Sequence, residues 1–162
     1  MTYRKTQLAN KINEIKKLIS DNVYHPELND DDFFYFNINF DENDQPIIGN
    51  GSDNSHLNIM VSSKNLLNNL QCIGVNHLDG TYKITTNGFP LVVYGVSDIQ
   101  GHFHPICFML TSHETETDFK YFFDGLIKQA EIMNIEYYPD YIIKLIKLHL
   151  MRLRNAFLIQ QC

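Results

Sequence analysis

The sequence predicts an α/β fold of the α+β kind: a mixed sheet with a three-strand antiparallel meander, a crossover helix and a fourth, parallel strand. Three observations predict it. Apolar segments follow closely on one another at 72–84, 90–98 and 102–111, separated by the turn signals NG at 87–88 and DIQG at 98–101. Strands joined by such short turns run antiparallel. The stretch TETDFKYFFDGLIKQAEIM then carries a helical apolar stripe, and one more apolar segment, YIIKLI, follows Pro139. Strand, strand, strand, helix, strand is the order of a sheet with a helix packed on one face.

The elements before the meander follow from the same patterns. Leu8, Ile12, Ile15 and Ile19 recur at helical spacing with Lys11, Lys16 and Lys17 between them, so an amphipathic helix is expected over the first twenty residues. VYHPELNDDD is a polar break. FFYFNINF (33–40) alternates and reads as one strand, with Phe34, Phe36, Ile38 and Phe40 on one face. DENDQP and GNGSDNS are turn chemistry. HLNIMVS (56–62) alternates again, with Leu57, Ile59 and Val61 on one side, and SKNLLNNL reads as a short helix capped by Ser62 or Ser63. In the later helix Thr115 and Asp118 form a capping-box pattern. Phe119, Phe122, Phe123, Leu126, Ile127, Ala130 and Met133 make its stripe, and Asp124 and Lys128 an i,i+4 pair on the far face. The segment 141–146 is the last strand.

Composition narrows the function. The 162 residues are 44% apolar, enough for one domain with its own core. No apolar run approaches the roughly 18 residues of a membrane span, and MTYRKTQLANKINEIKK has no signal core. Cys72, Cys107 and Cys162 are odd in number and far apart, which fits a reducing compartment and no zinc pattern. The net charge is −6, but all 19 acidic residues lie at or before Asp140, while Lys144, Lys147, Arg152 and Arg154 follow with no acid among them. The body has no bulk attraction to nucleic acid, and only the tail does.

One carboxylate stands out. Asp79 interrupts the apolar alternation and is followed at once by Gly80. Strands avoid Asp unless the charge is solvated or paired. Either Asp79 lies at a turn, or the strand is built to present it.

HLDGTYKITTNGFPLVVYGVSDIQGHFHPICFMLTSHETETDFKYFFDGL resembles the catalytic domain of Mutator-like element (MULE) transposases. The series DGTYK, Pro-Leu and an apolar strand, D-x-x-G, HFHPI and HETETDFKYFF carries the likeness, with D-x-x-x-x-P-I-x-G-x-G and IMVSSKNLLNNL upstream. It covers Phe33 to Ile143. The resemblance implies a ribonuclease H-like core and a triad of two Asp and one Glu. These hold two Mg²⁺ or Mn²⁺ ions that cut and join DNA strands at transposon ends, in the nucleus. Hard cations take oxygen ligands, and two of them clamp the attacking and leaving oxygens of a phosphoryl displacement. The first ligand in this likeness is Asp79, as both catalytic and metal residue. The second is expected near Leu145 counted from the strand, or near Leu148 counted back from RNAF at 154–157. Neither is acidic, and the Lys/Leu-rich stretch between departs from the family. The third is expected beyond Cys162.

This implies three parts: 1–32, an N-terminal helix and linker; 33–70, lead-in strands and a short helix; and 71–162, a truncated ribonuclease H-like transposase domain. The implied order places 141–146 beside 72–84, on the side away from 90–98, with Leu145 close to Asp79. The expected function is that of a DNA-transposition enzyme, inactive here for want of two carboxylates. The alternative is a domesticated DNA- or protein-binding module without cleavage.

Other candidates have plainer readings. Asp98 fits a side chain bonding the backbone of its own turn. His102 and His104 share a strand face, as a metal pair or as packing. Glu114 and Glu116 fit a first helical turn, where the dipole favours anions. Asp140 precedes the fourth strand and sits at its wrong end for a ligand. KLIKLHLMRLR reads either as a strand running into a helix with a solvated basic face, or as a basic segment for nucleic acid or anionic lipid.

Overall fold

The two most apolar segments of the meander become neighbours near the centre of the sheet. In the computed structural model, which describes residues 2–81, 88–137 and 142–145 (backbone alone at 2–10 and 142–145), the chain begins with α1 (Thr2–Asp21). β1 (Phe33–Phe36), β2 (Asn39–Phe40), β3 (Pro46–Ile47), β4 (Asn58–Ser63) and α2 (Lys64–Asn68) follow. After a 3₁₀ turn at Asn69–Gln71 come β5 (Val75–Thr81), β6 (Leu91–Ser97), β7 (Phe103–Thr111), α3 (Glu116–Ile132) and β8 (Ile142–Leu145). The main sheet has the order β1-β4-β7-β6-β5-β8. Its first five strands are antiparallel, and β8 joins parallel to β5. The meander, the helix and the parallel fourth strand are as the sequence pattern implies.

Both faces are covered by helices, which is why the strands read as apolar runs rather than clean alternations. On one face α3 packs Phe119, Phe122, Leu126 and Ala130 against Phe34, Met60, Leu78, Tyr94 and Ile106. On the other, Ile15 and Ile19 of α1 pack with Leu57, Ile59 and Leu110. Tyr94 is fully buried at the centre, its ring edge-on to Phe122 and Phe123. Its hydroxyl shares a 2.7 Å hydrogen bond with Tyr137, which ties the segment leading to β8 onto the sheet. Ser63 caps α2, accepting from Leu66 N–H at 3.2 Å. No helix among the described residues is long and apolar enough to cross a membrane.

Three expectations are corrected. FFYFNINF is two strands, because Asn37 adopts φ 57° and turns the chain, so Phe40 leaves for a separate hairpin with Pro46. Asparagine tolerates this left-handed region better than most residues. The α3 stripe is narrower than its apolar residues suggest: Ile127 is 40% exposed, since a stripe running 119, 122, 126, 130 already fills the contact with the sheet. Asp124 pairs with Lys120 at 2.8 Å, not with Lys128.

Candidate functional site

Asp79 lies within β5, not at a turn. Antiparallel pairing sets it opposite Val93 of β6, and parallel pairing sets it opposite Leu145 of β8. The strand therefore presents the carboxylate, and Asp79 is exposed while its neighbour Leu78 is buried. Alternation puts Asp79 and His77 on the face that α1 partly covers, and Leu78 and Gly80 on the α3 face. His77 has both ring nitrogens buried with no hydrogen-bond partner, and its ring stands edge-on to Phe103 at 6.2 Å. The pattern VNHLDG hides this, because a histidine within a strand pattern looks like ordinary packing.

Gly80 has its own reason. A Cβ built there would lie 2.7 Å from the Glu114 carboxylate oxygen. Glu114 is not in the helix: Thr115 is the N-cap, and Glu114 sits one residue before it with its carboxylate against the β5 backbone. Glu116, by contrast, is in the first turn of α3 as expected. The DG pair thus presents a carboxylate on one face and makes room for a second on the other.

The helix start is anchored by Asp118, which is fully buried. Its Oδ2 accepts from Thr115 N–H at 2.9 Å and Thr115 Oγ1 at 2.6 Å, and its Oδ1 from Asn58 Nδ2 at 3.0 Å. His56 Nδ1 is 2.8 Å from the same Oδ1. Burial pushes this carboxyl's pKa up, and the hydrogen bonds from Thr115, Asn58 and His56 outweigh it and hold the carboxyl below its ordinary value. His56 is stacked on His113 at 3.9 Å, and His113 reaches Ser112 Oγ at 2.7 Å and Asp53 Oδ1 at 3.2 Å.

Asp98 performs the turn role. Its Oδ1 accepts from the backbone N–H of Gln100 and of His102, both at 2.9 Å. Its Oδ2 lies 2.9 Å from His104 Nε2 and 3.5 Å from His102 Nδ1. His104, then the His102 N–H, draw the carboxyl down to about 2. Both imidazoles are turned toward this turn, beyond the end of β6 opposite from Asp79 in register. Among the described residues no group of three or more His, Cys, Asp and Glu could hold a metal ion. Asp140 and the basic tail beyond Leu145 lie outside the described residues.

A carboxylate on the first strand of an antiparallel meander, beside a parallel strand returned by a crossover helix, defines an α/β domain with its candidate chemistry where the two parallel strands meet. Residues 75–145 match the family model of the MULE transposase domain, and the chain carries a MULE transposase-like domain over that span. Neither a curated protein nor a solved structure matches the chain.

Proposed function

We propose that the domain is a ribonuclease H-like core derived from a nuclear DNA transposase, with Asp79 its inherited metal-ligand and catalytic position, and that it no longer cuts or joins DNA strands. One observation carries the reading: in the register of β5 and β8, Leu145 stands opposite Asp79. Residues paired on parallel strands share a face, so this is where a second carboxylate would complete a cation site. A leucine offers no oxygen. Mg²⁺ bound by one carboxylate leans on waters and substrate phosphates, and a two-ion clamp needs several shared acidic oxygens. The donor set around Asp79 does not fit two ions, and no step is assigned to them. Glu114 does not replace the missing group, because it lies across the strand on the α3 face.

The acidic body supports the loss of cleavage rather than a gain of non-specific DNA binding, since like charge repels the phosphate backbone. The test is incubation of a labelled DNA duplex with the chain and millimolar Mn²⁺. The expected result is no cleavage and no strand joining. Turnover that vanishes both with chelator and in Asp79→Asn would refute it. Retarded duplex migration without cleavage would favour the domesticated binding module instead. The register supplies a second test. Leu145→Asp, with Leu145→Asn as the fold control, should bind Mn²⁺ where the parent does not. At Mn²⁺ about tenfold above its Kd, linkage is worth about 1.4 kcal/mol, a rise in Tm of about 3–6 °C. An unchanged Tm in a folded Leu145→Asp variant would refute the placement.

A further inference from the structure

Two apolar surfaces of different shape lie apart on the sheet. The first is where β5 starts, β6 ends and β7 starts. Val75, Ser97 and Phe103 are in register there, so Val75 and Phe103 share a face, and both are exposed. Beyond them Ile73 and Ile99 are 87% and 92% exposed, the most open large apolar side chains among the described residues. Gly74 brings the two segments together, since a Cβ there would lie 2.1 Å from the Ser97 carbonyl oxygen. Asp98 fixes the turn that carries Ile99. Its Oδ1 accepts from the N–H of Gln100 and of His102, its carbonyl from the Gly101 N–H at 3.0 Å, and its own N–H donates to the His102 carbonyl at 3.0 Å.

The second is a cleft of about 180 Å³ between the β1–β2 turn and α3, walled by Tyr24, Tyr35, Phe36 and Phe40. Val23 and Ile132 are exposed at its rim. Gln129 also lines it, but its amide Nε2 is buried without a hydrogen-bond partner and is out of reach of an occupant. The cleft is pre-formed. Asn37, held at φ 57°, donates from Nδ2 to the Tyr121 carbonyl at 3.0 Å, and the Tyr121 hydroxyl donates back to the Asn37 carbonyl. Gly125 permits this docking, because a Cβ there would lie 2.4 Å from Asn37 Nδ2.

We propose that the chain associates head to tail with a second copy of itself, the Ile99 turn of one copy seated in the β1–β2 cleft of the next. Clustered exposed apolar groups mark interaction surfaces, and both surfaces are already held in shape, so docking orders little. The cleft, smaller than drug-sized pockets, has room for one branched side chain. The charges match. Lys128 is exposed on the cleft wall and makes no ion pair among the described residues. Asp98, next to Ile99, keeps a partly exposed carboxylate. Seating Ile99 brings that carboxylate to the Lys128 ammonium. A chain does not seat its own turn: β6 and β1 are three strands, about 14 Å, apart. Because the two surfaces differ, the contact is heterologous, and each pair keeps one free cleft and one free turn. A single turn in a cleft belongs with weak, transient contacts. The proposal does not rest on the transposase reading.

The test is sedimentation velocity of the full 162-residue chain from about 10 µM to about 1 mM, where weak contacts of this size populate. The average mass should rise above that of one chain and pass that of two without levelling. Ile99→Asp on the turn should weaken association at least tenfold, as loss of a central anchor does. Lys128→Glu should weaken it about fivefold, and more at low salt. Lys128→Glu combined with Ile132→Asp should close the cleft to the turn. An equal mixture of the turn variant and the cleft variant should form dimers and nothing larger, because one keeps its cleft and the other its turn. Ile99→Ser and Lys128→Glu alone form a milder pair for the same mixture if a charge at 132 disturbs the end of α3. A parent that stays monomeric at the highest concentration, a mass that levels at two chains, growth unchanged by Ile99→Asp, or a mixture that stays monomeric would overturn the proposal.

Discussion

Phe122→Ala tests the packing on which the whole arrangement depends. Phe122 is fully buried, edge-on to Tyr94 at 5.9 Å and to Phe123 at 5.2 Å, so the substitution opens a cavity beneath α3 beside the largest buried side chain of the sheet. Phe→Ala truncations at such sites cost about 3–5 kcal/mol. Small domains have about 5–15 kcal/mol in all, so the variant should remain folded but close to its limit. With a urea slope of about 2 kcal/mol per molar, the unfolding midpoint should fall by about 1.5–2.5 M. The assay is equilibrium urea unfolding followed by far-ultraviolet circular dichroism, with Ile127→Ala as the internal control. Ile127 is 40% exposed, and its truncation should cost less than about 1 kcal/mol. A cost below about 1 kcal/mol at Phe122, or a larger one at Ile127, would refute the orientation of α3.

Other expectations follow from the same structure. Gly95→Ala should cost about 1–3 kcal/mol, since a Cβ there meets the Phe103 ring at 2.4 Å and the His104 carbonyl oxygen at 2.5 Å; Gly80→Ala should cost less than Gly95→Ala, because the atoms a Cβ meets there belong to the end of a side chain and not to backbone. Thermal melts of both variants check the contrast. Asp118→Ala should cost roughly 2–3 kcal/mol in denaturant unfolding by stripping Thr115 and Asn58 of a buried acceptor. The acid limb of stability carries a sign. Asp98 has its folded pKa depressed to about 2, so its contribution is complete above the ordinary carboxylate pKa and is lost as pH falls from there to about 2. Asp98→Asn should flatten that limb of a Tm-against-pH curve, and an unchanged slope would show that the histidine and backbone contacts do not persist in solution.

Local pattern alone determined most of the elements. Gly88 and the turn at 98–101 bound the meander because glycine and aspartate set turn geometry within a few residues, and the 3.6-residue period of α3 is written in its own side chains. Asp79 was legible for the same reason: a charge in an apolar strand announces itself. What needed the tertiary structure were relations between distant segments. The period of FFYFNINF could not show that Asn37 would turn, because that turn is held by Tyr121 and by the space over Gly125 on a helix more than eighty residues away. Glu114 resembled a helix-dipole residue until β5 was placed beneath it. The unpaired Gln129 amide left no mark at all, since a glutamine inside an amphipathic helix reads as a surface residue until the β1–β2 turn closes over it. The resemblance indicated that Leu145 should approach Asp79, but only the register of β8 on β5 set the two directly opposite each other, because strand pairing depends on backbone hydrogen bonds that carry no residue label.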